Sequence, residues 1–169
     1  MKITNYKKTN LKELHLVTED LANNLDLLKE RFNAVLYSEA PISEGLLERR
    51  VIQSVGMKKI GRIIQELLDD FVPTLGFKYT TYKGVKFYWK DEDDPKACEL
   101  IRKTMSGDNR RDAKDVPIEE AINAIKLAKA NNPTLSKDDT IREAAKSMGY
   151  TRLGSVVLPL FTDAYKMAK

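Results

Sequence analysis

An internal repeat constrains the fold of this chain more than any other feature of its sequence. Residues 48–64 align with residues 141–157 at a constant shift of 93 positions, so that Gly56 and Gly61 coincide with Gly149 and Gly154. Amphipathic helices can resemble one another by chance, but glycines paired at a fixed spacing favour a duplicated unit. Three further positions are identical at this shift: Arg49/Arg142, Ser54/Ser147 and Leu67/Leu160.

The repeated unit is predicted to contain three helices. In the first copy, apolar residues at helical spacing indicate a helix over residues 25–37. Ser43 is a suitable N-cap for a second helix that runs to about Ser54. Gly56 then suits the positive φ of a helix C-cap, and a third helix is predicted over roughly residues 58–71.

The second copy is predicted to follow the same order. Its first helix carries Ile122-Asn123-Ala124-Ile125 where the first copy has Phe32-Asn33-Ala34-Val35, with three residues inserted before the next helix. Pro159 falls inside the predicted third helix and indicates either a kink or a later start. The predicted boundary residues are Pro117 at the first helix, Ser136 and Gly149 at the ends of the second, and Thr151 as cap of the third.

A β-hairpin is predicted after the third helix of the first copy, where aromatic and β-branched residues flank Lys83-Gly84. No hairpin sequence follows the second copy. We therefore predict a mainly α protein of tandem helix-turn-helix repeats, the first winged with a small β-hairpin. The predicted ranges are 1–24 for an N-terminal segment, 25–90 for the winged helix-turn-helix, 91–116 for an acidic linker with a short helix, and 117–169 for the second, wingless helix-turn-helix.

Two segments outside the repeat have weaker signals. Residues 1–24 leave two alternatives open, a helix starting at Asn10 or one that starts at Thr18 and continues into the next helix. The short helix of the linker is predicted over Pro95–Met105, with Cys98 as a small packing residue.

Several classes of protein are excluded by composition and spacing. One cysteine and one histidine, His15, are too few for a disulfide framework or a cysteine- or histidine-rich metal site. The chain has no glycine-rich phosphate loop and no nucleophile elbow. We therefore expect no enzyme activity, no cofactor, no metal and no small-molecule substrate. Because no apolar stretch resembles a membrane span or a secretory signal, we also expect no membrane association and a cytoplasmic protein.

The clearest functional signal is the charge order of the third helix in the first copy. The predicted helix opens with Lys58, Lys59 and Arg62 and ends with acidic residues, the reverse of what a helix dipole favours. Such local inconsistency is typical of functional sites. In helix-turn-helix proteins this part of the helix enters the major groove of DNA. The alternative is a solvated basic turn that tolerates a small energetic cost.

Other residues extend this candidate DNA-binding site. Lys83 and Lys86 of the hairpin can contact a phosphate backbone, or can simply protect an edge strand from aggregation. Thr151, Arg152 and Ser155 occupy the equivalent place in the second copy. Four further residues, Phe77, Tyr79, Phe87 and Trp89, are predicted to be core rather than base-stacking residues, and Gly61 and Gly154 are predicted to permit close helix packing.

Seven stretches also carry a family resemblance: residues 38–43, 47–51, 56–63, 87–89, 111–117, 119–121 and 148–154. They resemble the uncharacterised helix-turn-helix domain found at the C-terminal end of large bacterial helicase-like polypeptides, often beside a restriction-endonuclease-like nuclease domain. The resemblance covers about residues 25–169 and implies a nucleic-acid-handling role in a prokaryotic cytoplasm. This chain carries no helicase or nuclease motor of its own, so a helicase or nuclease is an expected partner.

The sequence as a whole predicts non-catalytic binding of double-stranded DNA through both helix-turn-helix lobes, as an accessory to a helicase or nuclease. The alternative is a winged-helix adaptor that binds proteins without touching DNA, since a net charge of +4 is modest for a DNA-binding protein.

Overall fold

In the computed structural model, which describes residues 1–169 without a gap, the chain divides into two units. The first unit is Lys8–Asp93, and the second joins Met1–Lys7 to Asp94–Lys169. Residues 1–24, predicted as one segment, are therefore divided between the units, and most of the predicted acidic linker belongs to the second.

In chain order the elements are β1 (Lys2–Asn5), α1 (Leu25–Glu39), β2 (Ile42–Ser43), α2 (Glu44–Ser54), α3 (Arg62–Phe71), β3 (Lys78–Tyr82), β4 (Val85–Trp89), β5 (Leu100–Lys103), α4 (Ile118–Asn131), α5 (Lys137–Ser147) and α6 (Val157–Met167).

The first unit packs its helices α1 to α3 with a three-stranded antiparallel sheet of order β2-β4-β3. Ser43 caps α2 as predicted, because its hydroxyl accepts a hydrogen bond from the Leu46 amide at 3.2 Å. The predicted hairpin is confirmed, with Lys83 and Gly84 at φ of 48° and 77°. Two successive positive φ values are what a tight two-residue hairpin turn requires.

The second unit packs α4, α5 and α6 around Ile125, Ala144 and Phe161, which are buried. Ser136 caps α5 by accepting a hydrogen bond from the Asp139 amide at 3.1 Å. Strands β1 and β5 form a parallel pair in which Lys2 lies opposite Leu100. The N-terminal strand thus belongs to the same unit as residues almost a hundred positions away.

The fold class is mixed rather than mainly α. Helices of all kinds hold 54% of the residues, and each unit also has its own small sheet. The helix predicted over Pro95–Met105 is wrong: a short 3-10 turn at Pro95–Ala97 leads into β5. Pairing with β1 supplies hydrogen bonds that a reading of the local sequence does not reveal.

Both third helices begin later than predicted. Helix α3 starts at Arg62 rather than Lys58, and α6 starts at Val157 rather than after a Thr151 cap. Pro159 is then the third residue of α6, where its missing N–H has no partner to lose, so the later start is confirmed over the kink. Pro117 is the N-cap of α4 rather than its first residue. No helix in the structure combines the length and the apolar character needed to cross a membrane.

Candidate functional site

The glycine that follows the second helix is the centre of a repeated arrangement. In the first unit, Gly56 has a φ of 89°, and an extended segment crosses the end of α2 beside it. The amide of Leu14 donates to the Ser54 carbonyl at 2.8 Å, and that of Leu16 donates to the Val55 carbonyl at 2.9 Å. A Cβ on Gly56 would lie 2.7 Å from the Leu14 carbonyl oxygen, so the crossing requires glycine.

The second unit repeats this crossing. Gly149 has a φ of 88°, and the amide of Thr104 donates to the Met148 carbonyl at 3.0 Å. A Cβ on Gly149 would lie 2.8 Å from the Thr104 carbonyl oxygen. The positive φ predicted for both glycines is confirmed. The close packing predicted for Gly61 and Gly154 is wrong, since a Cβ there meets nothing within 4 Å.

The loop after each of these glycines carries the predicted DNA-binding residues of the helices. Lys58 and Lys59 are exposed in the loop before α3, and Thr151, Arg152 and Ser155 are exposed in the loop before α6. Because α3 begins at Arg62, the two lysines precede the helix, so the predicted conflict with the helix dipole is wrong for them.

Arg62 is the one predicted cation inside α3. Its Nε lies 3.7 Å from the Glu66 Oε1, but the Arg62 side chain is 87% exposed, so water weakens this ion pair. The rest of the exposed side of α3 carries Glu66, Asp69 and Asp70. Beyond its first residue, the exposed surface of α3 is therefore acidic apart from Ile63, which is 66% exposed.

The hairpin lysines sit next to tyrosine rings. The Nζ of Lys83 lies 5.4 Å from the Tyr82 ring centroid, and the Nζ of Lys86 lies 4.9 Å from that of Tyr79. Phe87 and Trp89 are buried as predicted. The core prediction is wrong for Tyr79, which is 52% exposed: it pairs with the buried Tyr88 of the central strand but lies on β3, at the edge of the sheet.

A groove in the second unit brings together more cations than the sequence predicted. Residues 103–106 and 110–114 form one wall, and residues between 146 and 157 form the other; we call this the turn groove. Its walls are joined by the Thr104 to Met148 hydrogen bond and by the Tyr150 hydroxyl, which donates to the Arg111 carbonyl at 2.7 Å. The exposed cations along it are Lys103, Arg110, Lys114, Lys146 and Arg152.

Four of these five cations were missed because only the tertiary crossing brings the two walls together. The basic cluster Arg110-Arg111 with Lys114 is the sequence signal that could have pointed to them. The turn groove has one carboxylate, Asp112, whose Oδ1 lies 3.3 Å from the Arg110 Nε in an exposed pair.

Arg111 lines the same groove, but its side chain is buried and bound to a carboxylate that it shares with Arg102. Its guanidinium donates to both carboxylate oxygens of the buried Glu120 at 2.9 Å, and the Arg102 Nε donates to the same carboxylate at 3.0 Å. Burial opposes ionisation of Glu120, but the two guanidinium groups outweigh it and lower its pKa to about 2. The ring of Tyr6 lies 4.7 Å from the Arg111 Cζ, which places β1 over this cluster.

The first unit has a different buried carboxylate beside its turn. Glu48 of α2 is buried and accepts one hydrogen bond, from the Gln65 amide at 3.2 Å. Burial raises its pKa to about 7, and the neighbouring carboxylates of Glu44 and Asp69 add to this increase. Arg49, Lys58 and Lys59 line the shallow cleft next to Glu48.

No group of three His, Cys, Asp or Glu side chains in the structure has the arrangement of a metal site. Comparison with models of protein families, with curated proteins and with solved structures gave no match.

Proposed function

We propose that this protein is a non-catalytic nucleic-acid-binding protein that contacts the phosphate backbone of double-stranded DNA through the loops after Gly56 and Gly149. The single observation that carries the proposal is the set of exposed cations in the turn groove, which has one exposed carboxylate against five cations. Phosphates are the ligands that such a cluster favours, and counterion release supplies the binding free energy.

The proposal includes the predicted tandem helix-turn-helix fold, with a wing in the first unit only. The order helix–strand–helix–helix–hairpin of the first unit is that of a winged helix, and the second unit supports a wingless copy. The loops at 55–61 and 148–156 are longer than the three- or four-residue turn of a typical helix-turn-helix. Membership of the helicase-associated family, and a helicase or nuclease as partner in a prokaryotic cytoplasm, remain part of this proposal.

The contacts proposed are to phosphates rather than to base edges. After Arg62 the exposed surface of α3 carries carboxylates and the apolar Ile63, and the first turn of α6 is apolar, with Leu158 exposed. Neither surface suits insertion into the major groove, where base edges and flanking phosphates favour cations and amides. The exposed cations of the turn groove therefore act as backbone contacts together with Lys58, Lys59, Arg62, Lys83 and Lys86, and Thr151 and Ser155 act as hydrogen-bond donors.

A salt series of duplex binding tests the proposal. The logarithm of the association constant should fall with the logarithm of salt concentration with a slope of about −0.9 per phosphate contacted. The double variant Lys58→Glu, Lys59→Glu should weaken binding by at least about tenfold, while Lys29→Glu, an exposed charge reversal on α1, should change it by less than about twofold. Parent-like binding by the double variant would exclude the loop after Gly56 as a contact surface.

A second candidate, the protein-binding adaptor, is favoured by one observation. Ile63 is 66% exposed on α3, on the same helical face as Glu66 and Asp70. An apolar residue beside carboxylates complements a basic protein surface that has an apolar centre. Under this function, Ile63→Lys should abolish co-purification of a helicase or nuclease from the native host, and duplex binding should be absent in the parent as well.

A further inference from the structure

We infer that the turn groove of the second unit holds single-stranded nucleic acid, with its phosphates on the cationic rim and its bases against an apolar floor. This inference rests on the proposed function and names the form of nucleic acid that this particular site takes.

Two exposed apolar side chains in the groove are the first observation. Met105 on one wall and Val156 on the other are 37% and 49% exposed, and we call these two side chains the apolar floor. Gly154 lies on the same stretch, with open space where a Cβ would be. Apolar side chains in a cation-lined groove gain nothing from phosphates, but they bury apolar surface against the face of an unstacked base.

The shape of the groove is the second observation. A duplex keeps its base faces stacked inside, so it offers its phosphates to the cations but no base face to Met105 or Val156. A single strand can enter a concave groove and turn its bases toward the floor. The two hydrogen bonds that join the walls, from Thr104 and from Tyr150, hold the groove in this form before any ligand arrives.

The charge of the groove also selects among ligands. Arg111 is buried against Glu120, which leaves the five exposed cations and the carboxylate of Asp112 as the exposed charges that a ligand meets. They lie on both walls, with Lys103, Arg110 and Lys114 on one and Lys146 and Arg152 on the other. A chain with regularly spaced negative charges and apolar faces between them complements this pattern.

The test compares, on the full chain, three fluorescent ligands of about 12 nucleotides: a single strand with bases, an abasic deoxyribose-phosphate strand of the same length, and a duplex. We expect the strand with bases to bind at least about tenfold more tightly than the abasic strand. The double variant Met105→Ser, Val156→Ser should reduce this ratio to about twofold or less, because it removes the apolar floor and keeps the charges. The matched control Met167→Ser removes a 53% exposed methionine outside the groove and should keep the ratio of the parent.

Equal affinity for the abasic strand and the strand with bases would overturn the inference, and so would a ratio that the double variant leaves unchanged. An acidic amphipathic peptide that binds in the groove more tightly than the strand would overturn it in favour of a protein ligand. The duplex ligand distinguishes failure of this inference from failure of the proposed function. If the duplex binds with a steep salt dependence and the strands do not differ, only this inference fails; if no ligand binds, the proposed function fails as well.

Discussion

The two units of this protein share a backbone arrangement and differ in how they treat a buried glutamate. In each unit a segment crosses the end of the second helix and packs on a glycine of positive φ, Gly56 or Gly149. Beside this crossing, the second unit buries Glu120 between two arginines, whereas the first buries Glu48 with one amide donor. The pKa of Glu120 falls to about 2, and that of Glu48 rises to about 7.

Burial alone therefore does not decide the charge of a carboxyl group in this chain. Removal from water favours the protonated form of both glutamates, and only the guanidinium partners reverse this for Glu120. The second unit thus depends on an ionic cluster that holds β5, α4 and the segment leading to α4 together. The first unit also buries an ion-paired glutamate, Glu39, whose Oε1 lies 3.3 Å from the Arg50 Nε, but in Glu48 it keeps a carboxyl group that titrates near neutral pH.

The largest expected effect comes from breaking the ionic cluster. Arg111→Ala leaves Glu120 buried with one guanidinium partner fewer, and should lower the free energy of unfolding of the second unit by about 3–5 kcal/mol. Hydrogen exchange of amides in α4 and β5 measures this change. Arg110→Ala is the matched control, because its exposed pair with Asp112 contributes at most about 1 kcal/mol. Similar losses for both variants would show that the cluster contributes little.

An intermediate effect is expected from substituting the glycine that occupies the equivalent position in each unit. Gly56→Ala and Gly149→Ala each place a Cβ against a carbonyl oxygen at positive φ, and should cost about 1–3 kcal/mol or more. Gly61→Ala and Gly154→Ala, where a Cβ meets open space, should cost less than about 1 kcal/mol. Urea unfolding followed by Trp89 fluorescence reports Gly56→Ala and Gly61→Ala, because this buried residue is the only tryptophan of the chain and lies in the same unit as both glycines. Equal costs at Gly56 and Gly61 would contradict the crossing.

The smallest expected effect is a pH dependence confined to the first unit. Because folding raises the pKa of Glu48 from its ordinary 4.5 to about 7, its contribution to stability is complete below pH 4.5 and is lost as pH rises through 7. The contribution of Glu120 to stability has the opposite pH dependence: it is complete above pH 4.5 and is lost as pH falls toward 2. Trp89 fluorescence should show a urea midpoint that decreases between about pH 5 and about pH 8.

Glu48→Gln should remove most of this decrease, since the amide stays neutral across the range. Glu66→Gln, which changes an exposed carboxylate on α3, should leave it in place. A decrease of the same size in the Glu48→Gln protein would assign the pH dependence to another group.

The elements that followed from local chemistry were predicted well. The N-caps Ser43 and Ser136, the C-terminal glycines Gly56 and Gly149 and the Lys83-Gly84 turn all depend on a few neighbouring residues, and each is confirmed. The failures have a common cause. Strand β5 was predicted as helix because its partner β1 is far away in the sequence, and both third helices were predicted to start too early because no capping side chain marks their first residue.

The candidate site divides in the same way. The loop residues Lys58, Lys59, Thr151, Arg152 and Ser155 could be found from the repeat, since the repeat fixes which residues follow each glycine. Lys103, Lys114 and Lys146 could not be assigned to a site, because they reach the same groove only when the crossing segment packs on Gly149.

The sequence by itself determined the repeat, the helix caps, the glycine turns and the hairpin, because hydrogen bonds and φ preferences among neighbouring residues fix them. Only the tertiary structure decided that β1 pairs with β5, and that Arg111 is buried against Glu120 while Lys146 is exposed. It also decided that the pKa of Glu48 is raised and that of Glu120 is lowered. The physical reason is that burial and electrostatic partners are properties of the packed chain, and residues distant in sequence supply both.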